Sequence, residues 1–364
     1  MKGTIKSSKK SDVAQAVSEV TAGLTGAKGI IFMCDYVRLA AVAKELSERL
    51  PGAEVIGTAG TVYHNTTIGD KNLLVVSAIM DDAEISSGLI RNLSTDPLSD
   101  IHFLAESVKS VSPKKDSTVC IEFCTSNEEV LVSTMNVILE PAGVSLAGGT
   151  VFGAPEGKPS LVAFAGEVYE DACVYMVIKN SSGKALVIRE NIYERADGPA
   201  HVATKVKPSN KELTELDNRP AADVYSAETG VPKNKIVDNV LTSPLGRVVD
   251  NEIYIASMNG VLPNGAITNY KRINKNDSLY ILKLMDCRGI NENTRGRIKQ
   301  AISHPSMIFA INCIYRYLLF VNDGYLDEFL SNMAGLGAFA GYIGGGEQYN
   351  RQHVNQTMVC AVFE

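Results

Sequence analysis

The sequence predicts an α/β fold in which helices cover mixed sheets, and it leaves an α+β arrangement open. Apolar runs of buried-strand length alternate with amphipathic helical stripes, and turn signals join further strands as hairpins. Of the 364 residues, 45% are hydrophobic and 21% are charged, which is the composition of globular domains with ordinary cores. A chain of this length predicts about two domains.

One pattern occurs three times: an apolar strand, an amphipathic helix, a small-residue turn, a strand, a glycine-rich loop and a further strand. Pro51-Gly52 ends the first helix and Pro141 ends the second. The elements in chain order are 29–36, 39–50, 53–63 and 73–80 in the first copy, 119–124, 131–138, 144–153 and 172–178 in the second, and 307–317, 326–333, 338–346 and 357–363 in the third. The sequence therefore predicts repeated strand-helix-strand-strand units.

Two dipeptides predict hairpins between further strands. Ser182-Gly183 separates residues 172–178 from 185–192, and Asn264-Gly265 separates 252–258 from 266–270. The polar stretch 195–211 contains two prolines and follows the second copy, so we expect two halves, with domains at residues 1–212 and 213–364. The lysine- and serine-rich first ten residues are expected to be a solvated terminus.

Charge and composition exclude several classes of protein. The net charge is −6, from 35 Lys and Arg against 41 Asp and Glu, and no basic run indicates a nucleic-acid partner. The most apolar long window, 301–320, carries His304, Asn312 and Arg316, and it is expected to be a helix end, a loop and a buried strand, not a membrane span. No secretory signal follows the first lysines, so we expect a cytoplasmic protein.

Cysteine and histidine spacing gives no metal or cofactor site. The seven cysteines lack a Cys-x-x-Cys pair and most lie in strand-like runs, which is typical of buried reduced thiols. The five histidines are scattered. Neither a phosphate-binding loop, nor a dinucleotide fingerprint, nor a G-x-S-x-G nucleophile elbow is present. We therefore expect no cofactor and no metal.

The three glycine-rich loops are candidates for ligand binding. Backbone N–H groups exposed in such loops can hold a carboxylate or a phosphate, and threonine adds a hydroxyl. The alternative is that the glycines only form tight turns or bulges. The candidate residues here are Thr58, Thr61, Gly148, Gly149 and Thr150.

A polar group near the C-terminus gives a second set of candidates. Cys313-x-x-Arg316 places a cation inside an apolar segment expected to be a strand, and a buried arginine requires a partner, for which Glu347 is suitable. The two could recognise the charged ends of an amino-acid-like ligand, or they could form a purely structural pair. The full set of candidates at this end is Cys313, Arg316, Gly346, Glu347, Gln348, Asn355, Gln356 and Thr357.

Several of these motifs together resemble the FIST family. The closing signature of that family is matched by Gly341-Tyr342, Gly346-Glu347-Gln348 and His353-Val354-Asn355-Gln356-Thr357, its C-x-x-R strand by Cys313 and Arg316, its E-L-D-G-x-P-A segment by residues 215–221, and its N-terminal glycine loops by 55–60 and 146–149. Thr58 stands where the family often has cysteine, and Asn218 stands where it usually has glycine. The resemblance implies a FIST N-like domain followed by a FIST C-like domain.

The same resemblance implies a sensory function in bacterial signal transduction, without enzymatic activity. We therefore expect a sensor that binds a small molecule, with amino acids as the first candidates, and that acts in trans on a histidine kinase or a chemoreceptor-type protein. Two alternatives stay open. One is an enzyme of unrecognised type that uses Cys313 or His353, and the other is a protein–protein interaction module without a ligand.

Overall fold

The computed structural model describes residues 1–249 and 252–364, and it has the α/β fold that the sequence predicts, with mixed sheets flanked by helices. The helices are α1 (Val13–Thr21), α2 (Leu39–Arg49), α3 (Ile101–Ser110), α4 (Glu128–Leu139), α5 (Ala221–Thr229), α6 (Cys287–Ala301), α7 (Ile314–Asn322) and α8 (Leu326–Ala334).

The strands are β1 (Lys2–Ser8), β2 (Gly29–Cys34), β3 (Glu54–Ala59), β4 (Val62–His64), β5 (Thr67–Gly69), β6 (Leu74–Asp81), β7 (Ala83–Ile90), β8 (Thr118–Cys124), β9 (Ser145–Thr150), β10 (Val162–Phe164), β11 (Glu167–Tyr169), β12 (Cys173–Asn180), β13 (Ala185–Asn191), β14 (Tyr193–Arg195), β15 (His201–Lys207), β16 (Glu212–Leu216), β17 (Arg219–Pro220), β18 (Leu245–Val249), β19 (Glu252–Ala256), β20 (Met258–Val261), β21 (Ile267–Asn269), β22 (Ser278–Leu284), β23 (Met307–Cys313), β24 (Phe339–Gly344), β25 (Glu347–Tyr349), β26 (Gln352–Val354) and β27 (Thr357–Phe363).

The three sequence repeats form three sheets of the same strand order. Repeat 1 places β1, β6, β2 and β3 side by side, repeat 2 places β7, β12, β8 and β9, and repeat 3 places β13, β27, β23 and β24. In each repeat the third and fourth strands of this order run parallel and are joined by α2, by α4 or by α7 with α8, and the second strand is antiparallel to the third. The first strand of each parallel pair is buried along its whole length, as expected for apolar strands covered on both faces.

Each repeat also passes a hairpin to the sheet of another repeat. The hairpin β4–β5 follows β3 but pairs with β24, β10–β11 follows β9 but pairs with β3, and β25–β26 follows β24 but pairs with β9. The exchange is cyclic, from repeat 1 to repeat 3, from repeat 3 to repeat 2 and from repeat 2 to repeat 1. Each six-stranded sheet therefore contains strands of two repeats, and the three sheets together are complete only when all three repeats are folded.

The chain divides into two compact units. The first contains residues 1–189, 292–353 and 358–364, which hold the three repeats. The second contains residues 190–291 and 354–357, so its main segment is inserted in the sequence between β13 and α6. This second unit is built on a sheet in the order β19-β18-β22-β15-β16-β21-β20, with α5 beside β16. The expected division of the sequence at residues 212 and 213 stays a prediction.

Of the two predicted hairpins, one was wrong and one was confirmed in part. The Ser182-Gly183 turn does not form a hairpin, because β12 pairs with β7 and β8 while β13 belongs to another sheet. The Asn264-Gly265 turn does join an antiparallel pair, although the strand before it is β20 and not the segment 252–258. A turn dipeptide fixes the local bend, but the longer-range contacts of each strand decide its sheet.

The first ten residues and the segment 307–317 also differ from expectation. The first ten residues are not a solvated terminus, because β1 pairs antiparallel with β6 along residues 2–8. The apolar segment 307–317 is not one strand: the strand ends at Cys313 and α7 begins at Ile314. Arg316, Leu319 and Phe320 are buried at helical spacing, which an unbroken apolar run conceals. Across the described residues, every helix is too short or too polar to cross a membrane.

Candidate ligand-binding site

The first strand of the parallel pair ends in the same way in all three repeats. Strands β2, β8 and β23 each end at a buried cysteine, namely Cys34, Cys124 and Cys313. Three or four residues later each repeat has a buried charged side chain, which is Arg38 in repeat 1, Glu128 in repeat 2 and Arg316 in repeat 3. The glycine-rich segment that ends the second strand lies at the same edge of the sheet. These edges are where ligands bind in many α/β proteins.

In repeat 1 this edge holds an ion pair. Arg38 Nε donates to Asp35 Oδ2 at 2.6 Å, and Arg38 Nη1 donates to the Lys10 carbonyl at 2.8 Å. The same Asp35 oxygen accepts from the backbone N–H of Asn72 at 3.1 Å. The third guanidinium nitrogen, Nη2, is buried and has no hydrogen-bond partner among the described residues. The Arg38 side chain is only 9% exposed, so the lack of a partner for this nitrogen is costly.

A cavity of about 590 Å³ lies beside this ion pair. Its lining combines two cations, two carboxylates, hydroxyl groups and glycine backbone: Ser11, Asp35, Tyr36, Val37, Arg38, Gly60, Thr61, Asp70, Lys71, Asn72, Gly153 and Pro155. Of the residues expected from the sequence, Thr61 lines this cavity. Sequence reasoning missed Asp35 and Arg38, although the charges directly after an apolar strand were the available signal.

The glycines of repeat 2 are not loop residues as predicted, since Gly148 and Gly149 lie inside β9. They are required because two polar side chains lie against them. A β-carbon at Gly148 would overlap the carboxyl group of Glu122, and one at Gly149 would overlap the hydroxyl of Tyr342. Glycine here makes room for buried side chains of the protein itself.

Glu122 is a fully buried carboxyl group on β8. Burial raises its pKa to about 8, because the charged form is poorly solvated in the interior. The Cys173 thiol donates to Glu122 Oε2 at 3.5 Å. Burial likewise raises the pKa of the Tyr342 hydroxyl, and the charge of Glu122 adds to that effect. The phenol of Tyr342 lies edge-on to Phe123, with ring centroids 5.4 Å apart.

A second buried polar chain in repeat 2 connects several expected residues. The Gln348 amide donates to Thr150 Oγ1 at 3.0 Å and lies 3.2 Å from His353 Nδ1. The other ring nitrogen of His353 is 3.7 Å from Glu128 Oε1. The backbone N–H of Thr150 donates to the Gly346 carbonyl at 3.0 Å. Thus the Thr150 amide, which could have held an anion, is engaged within the protein.

In repeat 3 the arginine is packed into the core. Arg316 is fully buried, and its Nε donates to Asn312 Oδ1 at 3.2 Å. Its guanidinium carbon lies 4.4 Å from the ring centroid of Phe320 and 5.3 Å from that of Phe329. Asn312 in turn donates to the hydroxyl of Tyr63 at 3.0 Å. The side chain is therefore held by an amide and two aromatic rings.

Glu347 lies in the same fully buried region, since its charge acts on both Tyr63 and Tyr342 and helps to raise their pKa values. The expected pairing of Glu347 with Arg316 stays a prediction. Cys313 is 1% exposed, and Thr58 is fully buried in β3, not in a loop. The structure thus places these candidates in the interior of the first compact unit.

The remaining candidates belong to the second compact unit. Asn355 Oδ1 accepts from the backbone N–H of Ser257 at 3.4 Å, and the Gln356 amide donates to Ser257 Oγ at 2.7 Å. Both side chains are buried, as is that of Thr357. Within the described parts of the chain, no group of three or more His, Cys, Asp or Glu side chains is arranged to hold a metal ion.

Two protein-family models match this chain. The model of the FIST N domain matches residues 28–219, and the model of the FIST C domain matches residues 221–350. The chain therefore belongs to the FIST family, a family of sensory, non-enzymatic domains. No curated protein matches the sequence.

Proposed function

We propose that this protein is a sensor that binds a small molecule in the repeat 1 cavity. One observation supports this location: the buried cation Arg38 lines a cavity that also has a second cation and two carboxylates in its lining. A ligand anion in this cavity would pair with the Arg38 guanidinium, and charge-assisted hydrogen bonds of this kind are strong. The volume of the cavity also lies in the range of small-molecule sites, which is about 300–1,000 Å³.

The charges around the cavity favour a ligand that carries both signs. Arg38 and Lys71 are cations, and Asp35 and Asp70 are carboxylates. A free amino acid carries a carboxylate and an ammonium group that match such a lining. Thr61 adds a hydroxyl that can donate or accept. Amino acids are therefore the first ligand class in the proposal.

The signalling context is also part of the proposal. Family membership supports a sensory domain. We propose that this domain passes its signal to a histidine kinase or a chemoreceptor-type protein in the bacterial cytoplasm. The output would be made in trans, through contact with that partner. The buried position of Cys313 gives little support to a thiol enzyme, because a buried thiol is a poor nucleophile.

A thermal-shift screen of amino acids and small carboxylic acids tests the binding proposal. A true ligand raises the melting temperature of the wild type, and this shift should disappear in Arg38→Gln. Arg49→Gln is the matched control, since Arg49 pairs with Glu45 on the surface of α2. Loss of the shift in Arg316→Met, with the shift intact in Arg38→Gln, would move the site to repeat 3. A broad screen without any hit would refute the proposed function.

A further inference from the structure

A second surface of the first compact unit lies along the edge strand β7. Strands β1, β7 and β13 hold the same outermost place in their three sheets. Natural edge strands avoid unwanted pairing by carrying charged side chains. In β1, Lys6 donates to the carbonyl of Ala22, and β13 carries Arg189. The central residues of β7, 86–89 (Ser-Ser-Gly-Leu), carry no charge.

A cavity of about 470 Å³ follows this edge. All four consecutive residues 86–89 line it, and successive side chains of a strand point to opposite faces. The cavity therefore runs along the edge of β7 and not over one face. One face of α3 forms a wall, with Phe103, Glu106, Ser107 and Ser110, and Phe164 of β10 lines it as well.

Gly88 lies at the bottom of this cavity, which we call the β7 groove, and it has no side chain to fill the space. A β-carbon at Gly88 would overlap the hydroxyl of Tyr175, and that hydroxyl lies 3.2 Å from Ser107 Oγ. Gly88 thus allows Tyr175 to bridge from the sheet to α3, and it leaves the strand edge open. Among the described residues, β7 forms backbone pairs with β12 alone.

The walls carry both apolar and charged groups. Phe103 is 42% exposed and presents an apolar surface to the cavity. Glu106 lies on the same face of α3, one helical turn further on. At the end of β7, Arg91 donates to Asp100 Oδ2 at 2.9 Å while its side chain stays 57% exposed.

We propose that this groove binds an extended peptide of a partner protein by strand addition to β7. Main-chain hydrogen bonds to the free edge would supply affinity, and side-chain pockets would supply specificity. The lining selects a peptide with an apolar side chain for Phe103 and Phe164, a cationic side chain for Glu106 and an acidic group for Arg91. A second copy of the chain matches this less well, because Glu84 is the one charged residue of β7 and would not complement Glu106.

Selection of short random peptides on the wild-type protein, followed by fluorescence anisotropy with the enriched synthetic peptide, tests this proposal. Phe103→Asp should weaken binding at least tenfold. The control Leu98→Asp, at another exposed apolar residue that does not line the groove, should stay within twofold. Glu106→Lys should also weaken binding, and a peptide with its cation replaced by glutamate should restore it. Amide exchange of residues 86–89 should slow when the peptide is bound.

Three results would overturn the proposal. The first is the absence of any enriched peptide, the second is binding that Phe103→Asp leaves unchanged, and the third is binding without slower exchange at residues 86–89. If the wild type forms a dimer and Phe103→Asp dissociates it, the occupant of the groove is a second copy of the chain and not a peptide. None of these results depends on the amino-acid screen, so the groove and the proposed function fail or stand separately.

Discussion

Repeats 1 and 3 each have a buried arginine shortly after the first strand of the parallel pair, but they use it in opposite ways. In repeat 3 the Arg316 guanidinium is enclosed by Asn312 and two phenylalanine rings. In repeat 1 Arg38 pairs with Asp35 but lines a cavity of about 590 Å³. The comparison teaches that a buried cation at a strand end does not by itself identify a ligand site. What distinguishes the two is space for a ligand beside the cation.

The largest effect should come from removing the enclosed arginine. Arg316→Ala leaves a large void and removes the hydrogen bond to Asn312 Oδ1, so it should lower the free energy of unfolding by about 3–5 kcal/mol. Urea unfolding measures this change. Arg351→Ala is the control, because the Arg351 side chain is 67% exposed and its loss should cost less than about 0.5 kcal/mol. A loss below about 1 kcal/mol for Arg316→Ala would show that this arginine is not a packing residue.

The next largest effect on stability should come from Glu122, which lies on β8 in repeat 2. Its pKa rises from 4.5 to about 8 in the folded protein, so the folded state holds a proton that the unfolded state releases in this range. The stabilisation from this proton is present below pH 4.5 and is lost as the pH rises towards 8, by up to about 1.4 kcal/mol per pH unit.

Glu122→Gln keeps the shape of the side chain and removes this titration. Urea unfolding at pH 5, 6, 7 and 8 should therefore show the variant gaining stability relative to the wild type as the pH rises. Parallel curves for the two proteins would contradict a protonated carboxyl group at this position.

A smaller loss of stability is expected at Arg38. Arg38→Gln removes its hydrogen bonds to Asp35 and to the Lys10 carbonyl, which should cost about 1–2 kcal/mol. Arg38→Gln should also lower the affinity for the ligand at least tenfold, as measured by isothermal titration calorimetry. Arg316→Met should keep ligand affinity within a few-fold in the fraction that is folded. If Arg316→Met instead weakens ligand binding more than Arg38→Gln does, the ligand site lies in repeat 3 and not in repeat 1.

The smallest effect is expected at Thr61, which lines the repeat 1 cavity. Thr61→Val preserves the shape of the side chain and removes a hydroxyl, so it should weaken an amino-acid ligand by about 2- to 10-fold. Its melting temperature without ligand should match that of the wild type. Thr66→Val, outside this lining, provides the control. Equal affinities for Thr61→Val and the wild type would exclude contact between this hydroxyl and the ligand.

The repeated units could be predicted from the sequence because their strands and helices are defined by local apolar patterns. The exchange of hairpins could not, since β4, β10 and β25 have three residues each and their partners are far away in the sequence. The helix at Ile314 was hidden because its buried positions continue the apolar run of β23. Local pattern identifies elements, whereas long-range contacts decide their pairing.

The candidate site shows the same limit. Gly148 and Gly149 are conspicuous in the sequence. The reason for glycine at these positions is the space taken by the side chains of Glu122 and Tyr342, which belong to other strands. Thr61 was recognised through its glycine neighbours, and it does line the cavity. Arg38 was missed because a single charge after a strand is common, and only the fold shows that it is buried.

A crystal structure with the amino acid that stabilises the wild type most strongly tests the central claim directly. Ligand density is expected in the cavity lined by Thr61, with the ligand carboxylate within hydrogen-bond distance of the Arg38 guanidinium. Density for the ligand beside Arg316, or at any place away from Arg38, would contradict this claim.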